Sequence, residues 1–109
     1  MFEMVANLED LKSHFKMRLL VDKTPILLFY FVDKVYAIQD KCPHLGISLA
    51  DGRYDHDTGH VTCRGHGATI DIRTGDIAEK AHLAVFRLPT KKAKTYETKV
   101  ENGLIYIKK

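Results

Sequence analysis

Two short segments of this chain carry residues able to do chemistry together: Cys42-Pro43-His44-Leu45-Gly46 and Cys63-Arg64-Gly65-His66-Gly67. Written as a spacing, they are C-x-H, eighteen intervening residues, then C-x-x-H, and they contain both cysteines of the chain. Two thiolates and two imidazoles suffice to hold a metal centre. A single zinc ion is one reading, although structural zinc sites usually separate paired ligands by two to four residues so that both reach one ion. Here one residue separates Cys42 from His44, a spacing that lets the side chains diverge in an extended loop. Each pair can then offer its cysteine to one iron and its histidine to a second iron nearby. Metal-free buried thiols are a third reading. A disulfide between the two cysteines is disfavoured in a reducing compartment.

Both boxes lie in a stretch, residues 40–76, that is rich in Gly, Asp and His. Its expected strands are short: Gly52 to Asp55, Val61 to Cys63 and Thr69 to Ile72. Asp57-Thr58-Gly59 and Arg73-Thr74-Gly75-Asp76 are turn signals between them. The stretch has little apolar material of its own, so something beyond a private core is expected to hold it. Before it, Phe2 to Val5 reads as a strand, and Asn7 as the N-cap of a short helix over 8–14, with Leu8, Leu11 and Phe15 near helical spacing. Phe15 to Val21 suits a strand, Thr24-Pro25 punctuates, and Ile26 to Val32 is a continuous apolar run that fits a well-buried strand. Asp33-Lys34 turns the chain into Val35 to Ile38. A last hairpin joins Thr95 to Val100 with Leu104 to Ile107 through Glu101-Asn102-Gly103. These elements add up to an all-β, antiparallel domain with a loop-rich insertion.

CPHLG and CRGHG, with the tail ATIDIRTGD, resemble the two cluster-binding loops of the Rieske ferredoxins. The resemblance runs along the chain: VYAIQD before the first loop, ADG after it, the RTGD turn and the closing NGLIYI all have counterparts in that family. It implies a Rieske-type antiparallel β-sandwich occupying residues 1–109 as one domain, with a small cluster-binding subdomain at about 40–76. It also implies one 2Fe–2S cluster, with Cys42 and Cys63 on the buried iron and His44 and His66 on the outer iron near the surface. Rieske proteins of the cytochrome bc complexes add a cysteine to each loop, joined as a disulfide; Ile47 and Gly65 stand at those places here. Ala68 and Ile70 replace the serine and tyrosine that donate hydrogen bonds toward the cluster in those proteins. Such bonds favour the electron-rich reduced state, so their absence sets an expected potential at the low end of the Rieske range, around −150 mV.

The resemblance implies a one-electron carrier between an NAD(P)H-dependent flavin reductase and a terminal oxygenase such as an aromatic-ring dioxygenase. The alternative is a small electron-transferring subunit of a larger reductase, such as assimilatory nitrite reductase. No nucleophile–base pair or phosphate loop is visible, and 109 residues leave no room for the second, mononuclear-iron domain of a catalytic oxygenase subunit. An enzyme with a small-molecule substrate of its own is therefore not expected.

Composition excludes further classes. The apolar fraction of 45% and charged fraction of 28% are those of a soluble globular domain. The longest apolar run is seven residues, against about 20 for a membrane helix. No signal-peptide pattern opens the chain, and a cytoplasmic location is expected. A net charge of +3 lacks the clustered basic face that nucleic-acid binding needs. The lysines at 91, 92, 94, 99, 108 and 109 are expected on a solvated surface, as are His14, His56, His60 and His82. Asp51, Asp55 and Asp57 have no EF-hand spacing and read as loop residues. Phe29, Tyr30, Phe31 and Tyr36 are expected to pack the core.

Overall fold

The computed structural model describes residues 1–41, 48–64, 68–79, 82–83, 86–87 and 92–108. The central layer is a four-stranded antiparallel sheet made of β2 (Lys16–Val21), β3 (Thr24–Phe31), β4 (Lys34–Gln39) and β11 (Thr95–Tyr96), in the order β11-β4-β3-β2. A second layer is the three-stranded sheet of β1 (Phe2–Asn7), β13 (Leu104–Lys108) and β12 (Thr98–Glu101), in the order β1-β13-β12. The third is a four-stranded sheet in chain order, with β5 (Arg53–Asp55), β6 (His60–Thr62) and β7 (Thr69–Asp71) from the inserted segment and β8 (Ile77–Glu79) just beyond it. A two-stranded ribbon, β9 (His82–Leu83) with β10 (Phe86–Arg87), follows.

The continuous apolar run of β3 has a direct structural reason. Side chains alternate between the faces of a strand, and this strand is covered on both. Leu27, Phe29 and Phe31 point into one core with Ile38 and the insertion's Leu49, Val61, Cys63, Ala68, Ile70 and Ile72. Ile26 and Leu28 point into the other, with Val35, Ala37, Leu11, Ile105 and Ile107. The insertion is thus held by an apolar core shared with the central sheet. Its short strands each contribute one or two inward side chains, too few to stand out in composition, but the central sheet supplies the rest.

The helix α1 (Leu8–His14) forms where Asn7 and its spacing place it. The Asn7 side chain accepts the Glu9 N–H at 2.8 Å, satisfying one of the unpaired donors of the first turn. Phe15 ends the helix in the left-handed region, φ 64°, and β2 begins one residue later than its sequence suggests. Three other boundaries also move. Pro25 lies inside β3, paired with Leu20; near a strand's first residue its missing N–H is tolerated. The turns fall instead at Asp22-Lys23 and Val32-Asp33, all four at positive φ, which places Val32 in a turn, 72% exposed. The expected single strand Thr95 to Val100 is two strands. Thr95–Tyr96 pairs with β4, the chain crosses between layers at Glu97, and Thr98–Glu101 pairs with β13. Asn102 and Gly103, both at positive φ, make the expected tight hairpin turn.

Tyr54 ties the insertion to the central sheet. Its hydroxyl donates to the Tyr30 carbonyl at 3.1 Å and its ring packs on Phe29, centroids 4.7 Å apart. Burial, with the adjacent Asp55 carboxylate, pushes the Tyr54 hydroxyl up to about 12 from its ordinary 10.0. The protonated folded form is favoured, so this contribution is complete below the unfolded value of 10.0 and is lost as pH rises toward 12. Tyr54→Phe is expected to flatten the fall of stability across that window. Urea denaturation at pH 9 and pH 11 checks it; an equal loss in both proteins would show that Tyr54 plays no part.

Candidate metal centre

Each box belongs to a loop whose two ends are fastened together. The first loop leaves β4 at Asp40 and rejoins described structure at Ser48. Asp40 has a fully buried side chain, and its two oxygens accept four hydrogen bonds. Oδ2 takes Arg18 Nε at 2.6 Å and Ser48 Oγ at 2.7 Å; Oδ1 takes the N–H groups of Leu49 at 2.6 Å and Ala50 at 3.1 Å. One carboxylate therefore joins the start of the loop to its end and to β2. Burial alone pushes the Asp40 carboxyl upward, but the bonds from Ser48, Arg18 and Leu49 outweigh it and hold it below the usual carboxylate range.

The second loop leaves β6 at Cys63 and returns at Ala68. The Cys63 N–H donates to the Ala68 carbonyl at 2.8 Å, and just below it the Thr62 and Thr69 hydroxyls meet at 3.0 Å. The two stems lie side by side because β5, which continues the first loop, pairs with β6, Arg53 opposite Thr62. Gly52 sits at the crossing: a Cβ there would collide with the Thr62 carbonyl oxygen and lie 2.9 Å from that of Leu49. Lys16 closes the seam from the central sheet, its Nζ donating to the Ala50 carbonyl at 2.5 Å and the Gly52 carbonyl at 3.2 Å.

Of the four candidate ligands, Cys63 is described. It stands directly at the end of β6, 1% exposed, among Leu49, Ala68 and the inward side chains of β3. Cys42, His44 and His66 lie outside the described residues, as do Ile47 and Gly65. The described part of the site suits an iron–sulfur centre. A soft sulfur donor sits in a dry apolar shell, and the neighbouring Ala68 and Ile70, 1% and 0% exposed, bring no polar atom of their side chains to it. Among the described residues, no other group of three His, Cys, Asp or Glu side chains could hold a metal.

The remaining histidines that can be placed are peripheral. His14 is exposed, with Nδ1 2.9 Å from the Asp10 carbonyl oxygen. His56 is exposed and stacks on Phe15 at 4.9 Å; His60 is half-buried in β6. The side chain of His82 lies outside the described residues. Asp51, Asp55 and Asp57 are exposed, and Asp55 accepts the Asp57 N–H within its turn. Sequence reading missed the fastening residues. Asp40 stands two positions before Cys42, a visible signal, but its pairing with Arg18, 22 residues upstream, has no local signature.

Comparison with known proteins gives the family. The family model described as "Rieske [2Fe-2S] domain" matches residues 1–97. The chain belongs to the Rieske family. A 3-phenylpropionate/cinnamic acid dioxygenase ferredoxin subunit from Photorhabdus laumondii is 35% identical over 88 residues, covering 80% of this chain and 76% of the relative. Among solved structures, the ferredoxin of carbazole 1,9a-dioxygenase from Nocardioides aromaticivorans superimposes with a TM-score of 0.80 at 25% identity, covering 97% of this chain and 95% of that one. A second carbazole 1,9a-dioxygenase structure, a complex of reduced oxygenase and oxidized ferredoxin, matches with a TM-score of 0.78 at 25% identity, covering 97% and 91%. Family membership makes the cofactor a 2Fe–2S cluster and the chain an electron-transfer component. Among the described residues no helix is long and apolar enough to cross a membrane.

Proposed function

We propose that the chain is a one-electron carrier of the cytoplasm, accepting an electron from an NAD(P)H-dependent flavin reductase and delivering it to a terminal oxygenase. The observation that carries this reading is the pair of adjacent, fastened loop stems, one leading into C-x-H and the other into C-x-x-H. In this reading Cys42 and Cys63 hold one iron, and His44 and His66 hold the other. The chain acts as one domain over 1–109, with residues 40–76 as its cluster-binding part; the core shared between the insertion and the central sheet supports that division of labour. The relatives named as dioxygenase ferredoxin subunits favour an oxygenase as acceptor over a larger reductase such as assimilatory nitrite reductase.

When bound, the cluster supplies a one-electron couple whose potential is expected near the low end of its class, around −150 mV. The protein's own part is to keep the cysteine side dry, through Leu49, Ala68 and Ile70, and to hold both loops in register. An EPR spectrum of the dithionite-reduced protein at low temperature tests the reading. A rhombic signal with the low average g of a histidine-ligated 2Fe–2S centre is expected. Stoichiometric zinc with no signal would overturn it. His44→Cys is expected to retain iron poorly or to shift the potential downward, because a thiolate adds negative charge to the centre; an unchanged spectrum and potential would remove His44 from the ligand set.

A further inference from the structure

We infer that the cluster-bearing end of the molecule is a basic docking face, matched to a redox partner whose electron-exchange site is rimmed by acidic side chains. The inference rests on the carrier reading above and adds the chemistry of the partner.

Around the loop stems stand five cations, Lys16, Arg18, Lys41, Arg53 and Arg64, and the carboxylates Asp40 and Asp51, with Asp55 two residues beyond Arg53 on β5 and Glu79 in register with Thr69. Lys41 is the last described residue before the first loop, and Arg64 directly follows Cys63; both are exposed. Arg53 lies opposite Thr62, one residue from Cys63. Its neighbour Tyr54 packs inward, so Arg53 occupies the outer face of the β5–β8 sheet, in the row nearest the second loop. Arg18 is anchored from beneath: the Asp40 carboxylate is fully buried while the arginine side chain is 48% exposed, so the cation reaches solvent and the anion does not.

Arg18 is paired with Asp40. Lys41, Arg53 and Arg64, like Lys23, Lys34 and Lys94, enter no ion pair with a described carboxylate. Of these six, Lys41 adjoins the first box, Arg64 lies in the second, and Arg53 lies opposite Thr62. Elsewhere Arg73 sits on Asp71, Lys92 on Asp76, Lys99 on Glu101 and Lys108 on Glu97, at 2.8 to 3.7 Å. Among the described residues no carboxylate lies within ion-pair distance of Lys41, Arg53 or Arg64. Paired charges cancel within a few ångströms, whereas unpaired like charges sum over a Debye length of about 10 Å. A field of that kind steers a small, short-lived complex and selects among partners more than it tightens binding.

The test uses the reduced holoprotein and two outer-sphere oxidants of opposite charge, the hexacyanoferrate(III) trianion and the hexaammineruthenium(III) trication. In each case the protein loses one electron and the probe metal gains it. Stopped-flow rates are compared for wild type, the double variant Lys41→Glu/Arg64→Glu, Arg53→Glu, and the control Lys34→Glu at the far end of β4. The trianion is expected to react about tenfold more slowly with the double variant at low ionic strength. Arg53→Glu should move the same way and Lys34→Glu much less. The trication should show the opposite order, and added salt should shrink both differences. Equal shifts for the charge-matched single variants Lys34→Glu and Arg53→Glu would mean that net charge alone acts, and would overturn the inference. A cluster present by EPR but indifferent to probe charge would overturn the docking face and leave the carrier intact; absence of the cluster from wild type would overturn both.

Discussion

Replacing Asp40 by alanine is expected to lower stability by about 1–3 kcal/mol, the cost of leaving the buried hydrogen-bond donors it serves without an acceptor. Asp40 accepts from Arg18, Ser48, Leu49 and Ala50, so truncation leaves the buried Leu49 N–H without its acceptor and frees the two ends of the first loop from each other. Domains of this size have about 5–15 kcal/mol in total, so the loss is a large fraction of it. The cluster should also be held poorly, because the described residues on either side of the first box would no longer be tied together. Asp40→Asn keeps the shape but loses the charge and offers one acceptor oxygen in place of two, and it should fall between wild type and alanine. Acid should act in the same direction. The folded-state carboxyl is held below its ordinary value, so its contribution is present above the unfolded pKa and is lost as pH falls through the folded one. Denaturant midpoints and visible absorption of the purified holoprotein check all three; a wild-type midpoint and full absorption in Asp40→Ala would show that the loop is closed by other means.

The second large effect is expected at Gly52. An alanine Cβ would collide with the Thr62 carbonyl oxygen and sit 2.9 Å from that of Leu49, and both obstacles are backbone. A flexible side chain could swing away, but a strand cannot. The tight turn that the Gly52 N–H closes onto Leu49 at 2.9 Å must open, or β5 must move off β6. Such overpacking costs about 1–3 kcal/mol. The functional loss should exceed what stability alone predicts, because β5–β6 pairing is what sets the two loop stems side by side. Iron content per folded chain after anaerobic reconstitution, with folding followed by circular dichroism, separates the effects. A folded Gly52→Ala protein with full iron would show that the stems tolerate displacement.

Much of this molecule is legible in residue types and their local order. The C-x-H and C-x-x-H boxes are the residues proposed to hold the cluster, because thiolate and imidazole have few other reasons to recur at such spacing. The Asn7 cap, the Asn102-Gly103 hairpin and the apolar run of β3 follow from short-range sterics and from the need to bury side chains. Their physics acts within a few residues, so it can be read in a row. Tertiary contact settles the remainder. Thr95 to Glu101 looks like one strand, yet it divides at Glu97 because two separate layers each offer it an edge. The insertion looks short of apolar material, yet it is firmly seated because Leu27, Phe29 and Phe31 lie beneath it. The residues that close the loops, Arg18, Lys16 and Asp40, are ordinary charged residues in the sequence. Their role arises only when folding brings Lys16 against Ala50 and Gly52, and Arg18 against Asp40, across separations of 22 to 36 residues that no local pattern records.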